Sequence, residues 1–341
     1  MILAAGVGSR LDPLTSKLPK PLCPILGSPV MEHIVMLCKK HGFTNLASNT
    51  HVMAEKIEDH FKDINKHGVN LNLVYEKELT GVAGGIRSCK KYLTDEVILV
   101  MMGDALTDCD LTSLYESHIK GNCPVTIALK EVEDTRQYGV AVIDENNKVT
   151  HFQEKPKPED AKSNLANTGI YFFDQSIINE IPAFSERPKF DVATDLFQKL
   201  MSKNIPMQGV KINSYWADIG TLKQYLESIK DALEGRVKID IVDPLAKIEG
   251  KIYLGSNVKI GSNVTFKGHV YIEKDCTIEE NSYISNSIIW ANSRIGKNVK
   301  IINSIIANNC VVSDGIEIIS NSVWAADTII KNDTKPSVVF S

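Results

Sequence analysis

Two hydrophobic patterns divide the chain. Up to about residue 235, short apolar runs alternate with stretches whose apolar residues recur at helical spacing, which is the texture of an α/β domain. The runs predict strands at residues 1–3, 44–48, 71–75, 97–102, 125–129, 140–143, 149–153, 169–173 and 207–212. Between them, Val30, Ile34 and Leu37 fall on one helical face before Gly42, and Leu196 and Leu200 stand one turn apart. IDENNKV, ending at Val149, predicts a hairpin turned at Asn146 and Asn147.

From Ile248 onward the period becomes six. Ile248, Leu254, Ile260, Phe266, Ile272, Ile278, Ile284 and Trp290 succeed one another at that interval, with a second set, Ile252, Val258, Val264 and Val270, two residues ahead of Leu254, Ile260, Phe266 and Ile272. Neither a helix nor a hairpin has this repeat. A parallel β-helix does: each hexapeptide forms one short side of a coil and turns its apolar residue inward, with GSN, KGH and KDC as small or polar corners. After Trp290 the register slips by one, to Ile295 and Ile301, and then fades. The expected organisation is an α/β domain at 1–233, a linker at 234–247, a β-helix of four to five coils at 248–330 and a tail at 331–341.

Charge and composition narrow the function. A formal net charge of -4 offers no basic face for a nucleic-acid backbone, although local cations can still serve a small anion. Seven scattered cysteines suggest neither a zinc knuckle nor a disulfide framework, and a reducing cytoplasm suits them. The longest apolar run, VILVMM, is far short of a membrane span. The expectation is a soluble, unexported protein with no nucleic-acid or membrane partner.

The candidate chemistry is anionic. GVGSR places Gly6 and Gly8 after the first strand and ends on Arg10; it is not GxGxxG, because Leu11 holds the third glycine position. Backbone N–H groups of such a turn can approach phosphate, and a guanidinium beside it can grip phosphate oxygens. Lys20 lies between Pro19 and Pro21, which restrict its backbone. A plain tight turn with two solvated cations is the alternative. Asp104 follows the run expected to be a central strand, and Asp218 lies in YWADIGT. Each alone could cap a helix; together with phosphate-directed cations they suggest a Mg2+ site. In FQEKP, Glu154 and Lys155 point to opposite faces unless the strand bulges, so spacing does not join them.

LAAGVGSRLDPLT with PKPL, LTGVAGG, GDALTD, QYGV, FQEKP, NTGIYFF and YWADIGT occur in this order, and together they resemble the sugar-1-phosphate nucleotidyltransferases. The resemblance implies a Rossmann-like mixed-sheet domain. The appended left-handed β-helix is an arrangement found in mannose-1-phosphate guanylyltransferases, among others. By the same resemblance Arg10 and Lys20 would hold the β and γ phosphates of a nucleoside triphosphate. Asp104 and Asp218 would hold Mg2+, and Lys155 the sugar phosphate. Glu154, Asn167 and the backbone at Gly139 would contact the sugar. Leu3, Ala5, Gly6, Gly8, Glu76 and Gly81 would form the nucleotide site.

Glu76 stands where the family reads the base, and a carboxylate can accept from both guanine N1–H and N2–H, which favours GTP and hence mannose 1-phosphate. Thymidylyl, uridylyl and adenylyl transfer to glucose 1-phosphate remain alternatives. So do a non-catalytic regulatory homologue and, through His269, a hexapeptide acyltransferase. Val82 and Thr168 depart from the family pattern, and the first strand lacks residues usual before ILAAG. The flat faces and last coil of a β-helix leave edges and apolar surface that find a partner, so the coils are expected to mediate homo-oligomerisation, and because every named site residue precedes the linker they are expected to be dispensable for chemistry.

Overall fold

The apolar runs become a nine-stranded mixed sheet. In the computed structural model, which describes residues 1–319 and 321–340, the strands are β1 (Ile2–Leu3), β2 (Asn45–Thr50), β3 (Asn70–Tyr75), β4 (Val97–Met102), β5 (Val125–Glu131), β6 (Gly139–Ile143), β7 (Val149–Glu154), β8 (Leu165–Asp174) and β9 (Met207–Lys211). Their order is β7-β6-β8-β4-β1-β2-β3, with β5 also on β8 and β9 on β5. β4, β1, β2 and β3 are mutually parallel, whereas β8 runs antiparallel to β4. VILVMM is apolar throughout because a central strand is covered on both faces. Its Val100 joins Leu3, Ile127, Leu129, Tyr171, Phe173 and Phe197 in one core.

Local chemistry sets the boundaries. The hairpin forms as expected, with Asn147 at φ 60° and the Asp144 carboxylate accepting from the N–H groups of Asn146 and Lys148 at 2.9 and 2.8 Å. The helix of Leu196 and Leu200 forms as a π-turn, Val192–Leu196, that continues into an α-helix, Phe197–Ser202. β8 extends beyond its predicted start to Leu165, and its ladder is interrupted between Asn167 and Tyr171, where Gly169 has φ 73°.

By contacts the chain forms two compact units, Met1–Val7 with Ile34–Trp216, and Gly8–His33 with Ala217–Ser341. Segment Gly8–His33, which carries Arg10 and Lys20, thus belongs with the coils. In that second unit the hexapeptides wind into a parallel β-helix. Along one face Lys259 pairs with Thr277, Thr277 with Arg294, Arg294 with Val311 and Val311 with Ile329, so that five stacked strands are separated by four steps of 17 or 18 residues. Three hexapeptides therefore close one turn. The corner residues Asn257, Asp275, Asn292, Asn309 and Asp327 stack with positive φ, a conformation that Asn and Asp tolerate. Their side chains join in places: Asn257 Nδ2 donates to Asp275 Oδ1 at 3.1 Å, and Asn309 Nδ2 to Asp327 Oδ1 at 2.9 Å.

Two of the eight expected inward positions, Ile248 and Trp290, are corrected, while Ile260 keeps the inward register of Ile278 at the open end of the coils. The register slips before Trp290, at the corner where Ser285, Asn286 and Ser287 replace Lys267 through Val270, so Ile289 rather than Trp290 stacks under Ile272. Trp290 faces outward and its indole Nε1 donates to Tyr225 Oη at 2.9 Å. Ile248 and Ile260 are 45% and 44% exposed, because the first coil has no preceding coil to cover it. The repeat also does not end where its pattern fades. Coils continue to Ile329–Ile330, and the tail contributes Val338–Val339, antiparallel to Ser322–Trp324. At the other end Lys247–Glu249 pairs antiparallel with Ile252–Leu254, so one face carries a protective strand at each edge.

Candidate active site

In the first unit, β1 ends in the turn that carries Leu3, Ala5 and Gly6. Leu3 and Ala5 are buried, and no atom lies within 4 Å of where a Gly6 side chain would begin. The link from this turn to Glu76 is Asn49, which sequence reasoning missed. Its Oδ1 accepts from Ala4 N at 3.0 Å and its Nδ2 donates to Glu76 Oε1 at 3.0 Å. A signal was present: Ser48, Asn49 and Thr50 form a buried polar run at the carboxyl end of a parallel strand, where packing alone would favour apolar residues. Glu76 is 5% exposed, and its Oε2 accepts from Thr80 Oγ1 at 3.1 Å. Two of about four acceptor positions on the carboxylate are therefore taken internally. Gly81, at φ 81°, starts helix Val82–Ser88, and a side chain there would meet the carbonyl oxygen of Phe190 at 2.7 Å.

Asp104 stands just beyond β4, half-buried, after Gly103, whose N–H donates to Leu3 O at 2.8 Å. Farther along, β7 ends at Glu154 and Lys155 has φ 46°. This turn, rather than a bulge within the strand, brings the two side chains to one side, with Lys155 Nζ 3.3 Å from Glu154 Oε1. Gly139 is the register partner of Glu154, and a side chain there would collide with Phe152 and with Glu154 Oε2. Asn167 lies in the interrupted stretch of β8; its Nδ2 donates to Tyr171 Oη at 2.8 Å and its Oδ1 accepts from Gly169 N at 3.1 Å. Thr168 is a buried structural residue: its hydroxyl donates to Ala128 O at 2.8 Å, and its carbonyl accepts from Trp216 Nε1 at 2.9 Å.

In the second unit, Gly8 has φ 72° and its α carbon faces Lys20, so that an added Cβ would lie 2.8 Å from Lys20 Cβ. Leu11, at the missing third glycine, is fully buried and anchors the turn Ser9–Leu11. Arg10 on that turn is exposed, whereas Lys20, on the turn Lys20–Leu22, is 7% exposed and lies with Nζ 3.6 Å from Asp218 Oδ1. Gly220 fills the space beside them: a side chain there would reach Asp218 Oδ2 at 2.9 Å and the Arg10 guanidinium at 3.1 Å. The fold therefore gathers Arg10, Lys20 and Asp218 in this unit, and Gly139, Glu154 and Lys155 in the other. Of the two carboxylates expected to hold Mg2+, Asp104 belongs to the first unit and Asp218 to the second, and each offers the hard oxygen donor that such an ion prefers. Among the described residues no three His, Cys, Asp or Glu side chains cluster as a metal cage, so protein ligation would rest on one or two carboxylates. His269 Nε2 is 2.8 Å from Glu234 Oε1.

Residues 1–235 match the family described as Nucleotidyl transferase, and residues 248–335 match the GMPPB C-terminal domain. The chain is 37% identical over 271 residues to a UTP–glucose-1-phosphate uridylyltransferase of Synechocystis, spanning 76% of this chain and 69% of the relative. It is 34% identical to the bifunctional protein GlmU of Methanocaldococcus jannaschii over 76% of this chain and 59% of the relative. It is 30% identical to a mannose-1-phosphate guanylyltransferase of Mycobacterium tuberculosis over 69% of this chain and 64% of the relative. For the last two, the match spans less than two thirds of the relative's length. A solved structure of HddC from Yersinia pseudotuberculosis superposes with a TM-score of 0.57 at 25% identity, covering 68% of this chain and 97% of the other.

Proposed function

The chain belongs to the nucleotidyl transferase family, within which it is similar to sugar-1-phosphate nucleotidyltransferases, and on that footing we propose that it joins GTP and mannose 1-phosphate to give GDP-mannose and pyrophosphate. The arrangement of Lys20 supports a phosphate role most directly: a buried ammonium on a proline-flanked turn, packed against Gly8 and held 3.6 Å from Asp218. In this reading Arg10 and Lys20 neutralise the β and γ phosphates, and Lys155 binds the sugar phosphate. A phosphate oxygen of the sugar 1-phosphate attacks the α phosphorus in line, and the bond from that phosphorus to the bridging oxygen breaks as pyrophosphate leaves. No protein nucleophile is needed, since alignment and charge neutralisation suffice. Bound Mg2+ supplies Lewis-acid stabilisation of the phosphoryl oxygens, with Asp104 and Asp218 as the carboxylates assigned to it.

The guanine assignment rests on the acceptor positions of Glu76 left after Asn49 and Thr80 are served, and on the mannose-1-phosphate guanylyltransferase relative. The uridylyltransferase relative favours a second reading, UTP with glucose 1-phosphate. Pyrophosphate release with Mg2+, each nucleoside triphosphate in turn, and mannose, glucose or N-acetylglucosamine 1-phosphate separates the two. The fastest pair by kcat/KM is expected to be GTP with mannose 1-phosphate; a faster UTP–glucose pair replaces that specificity, and no pyrophosphate with any pair overturns nucleotidyl transfer. The reading also assigns the coils an assembly role, as a symmetric homo-oligomer in a cytoplasmic setting.

A further inference from the structure

The turn that carries Lys20 runs directly into a small hairpin, in which Pro24 pairs with Pro29 and Ile25 with Ser28. The turn and hairpin are continuous through backbone bonds, with Leu22 N donating to Pro19 O at 2.8 Å and Cys23 N to Lys20 O at 3.0 Å. Within the second unit the hairpin is gripped at two points. At its base, Tyr225 of helix Leu222–Leu233 donates from Oη to Pro24 O at 2.6 Å, and the same Oη accepts from Trp290 Nε1 at 2.9 Å. At its tip, Gly27 N donates to Tyr271 Oη at 3.0 Å, and Tyr271 Oη donates to Glu273 Oε1. Tyr271 and Glu273 come from one coil and Trp290 from the next.

The tip is built for this contact. Leu26 and Gly27 have φ 45° and 89°, and a side chain on Gly27 would collide with the Tyr253 hydroxyl. Tyr253 and Tyr271 are both fully buried, with ring centroids 5.1 Å apart. Glu273 is 7% exposed on the outer side of a coil. A buried carboxylate is costly, and nothing in the hexapeptide core requires one there, since Ile272 already fills the inward position. What Glu273 does on this face is orient the Tyr271 hydroxyl so that its lone pair meets the Gly27 N–H. Burial, opposed by Lys274 and the Gly27 N–H and aided by Asp243 of the linker, pushes its carboxyl up to about 7. Tyr253, Tyr271, Tyr225 and Cys276 complete its titratable surroundings.

We propose that Tyr271 and Glu273 are positioning residues for nucleotidyl transfer, holding the Gly27 turn so that the segment leading back to Lys20 keeps its phosphate-binding conformation. This rests on the phosphate role given to Lys20 above, and it gives the coils a part in the catalytic apparatus in addition to their proposed part in assembly. The site residues assigned to the sugar phosphate, Lys155 and Glu154, lie in the other unit, so the effect is specific to one substrate.

The test uses the full chain with Tyr271→Phe, which keeps ring volume and removes the hydroxyl that accepts from Gly27 N, and Glu273→Gln, which keeps shape and removes the charge that also faces that N–H. Both are expected to raise KM for the nucleoside triphosphate about five- to tenfold, the scale of one lost buried hydrogen bond, while KM for the sugar 1-phosphate stays at the wild-type value. Wild-type nucleotide KM is expected to vary between pH 5 and 8, and Glu273→Gln to flatten that variation. A fall in Tm with all kinetic constants unchanged, or an equal rise in both KM values, overturns the proposal and leaves a packing role. Hydrogen exchange separates this outcome from failure of the functional reading. If wild-type protein turns over no substrate pair, faster exchange at the amides of residues 20–27 in Tyr271→Phe still supports the clamp, and unchanged exchange there overturns it.

Discussion

Lys20 Nζ lies 3.6 Å from Asp218 Oδ1, with the lysine side chain 8% exposed and the aspartate 24%. The pair joins the cation proposed for phosphate to a carboxylate proposed for metal, each partly neutralising the other. A buried ammonium left without a countercharge carries a heavy desolvation cost, so the pairing also explains how Lys20 can be buried at all.

Asp218→Asn and Asp104→Asn are expected to lower kcat by about a hundredfold or more, because the amide keeps the volume and loses the charge that holds Mg2+. Circular dichroism should be unchanged. Near-normal turnover in either variant at saturating Mg2+ removes that residue from the metal site.

Glu76→Gln is expected to reduce kcat/KM for GTP about tenfold relative to UTP, since an acceptor that would face a guanine N–H becomes a donor. Thr80 can reverse its hydroxyl to suit the new amide, which keeps the bonding to Asn49 intact. An unchanged nucleotide ranking means that Glu76 supports Asn49 and does not read the base.

Lys155→Ala should raise KM for the sugar 1-phosphate about ten- to a hundredfold with nucleotide KM preserved, the loss expected for a charge-assisted bond. Gly139→Ala should do comparable harm through collision with Phe152 and Glu154. Product-release assays at varied sugar 1-phosphate check both; an effect confined to nucleotide KM reassigns Lys155.

Glu234 follows helix Leu222–Leu233 and pairs with His269, Lys251 and Arg236. Hydrogen bonds from His269 and Lys251, with Arg236 adding to them, hold its carboxyl at about 2, against an ordinary 4.5. Its folded pKa is depressed, so its stabilising contribution is complete above 4.5 and disappears as pH falls towards 2. Thermal unfolding of Glu234→Gln should therefore differ from wild type at pH 6 and converge with it near pH 2; a difference that persists undiminished at pH 2 excludes this linkage.

Cutting the chain near Gly235 removes Tyr271, Glu273 and Trp290 from the hairpin that precedes helix Val30–Lys40. Smaller particles by light scattering, together with loss of nucleotide binding, are the expected result. A folded truncation with wild-type nucleotide KM shows that the coils serve assembly alone.

The order of the motifs and the change from helical and alternating patterns to a period of six were enough to establish the family, the α/β sheet and the β-helix. These are properties of local spacing: inward and outward positions alternate within a strand, and a hexapeptide measures one side of a coil. The residues carrying charge were legible for the same reason, as Arg10, Lys20, Asp104, Lys155 and Asp218 each sit beside a turn or strand end visible in the sequence. Long-range packing decided the rest. Glu154 and Lys155 share a side only because Lys155 takes φ 46°. Trp290 turns outward because a corner lost one residue a few positions earlier and Tyr225 was there to receive its N–H. Asn49 became a link between Ala4 and Glu76, and Gly27 found its partner in Tyr271, through contacts between residues far apart along the chain. Such pairings leave no periodic trace in a single sequence, because a hydrogen bond between distant residues constrains two positions and no spacing between them.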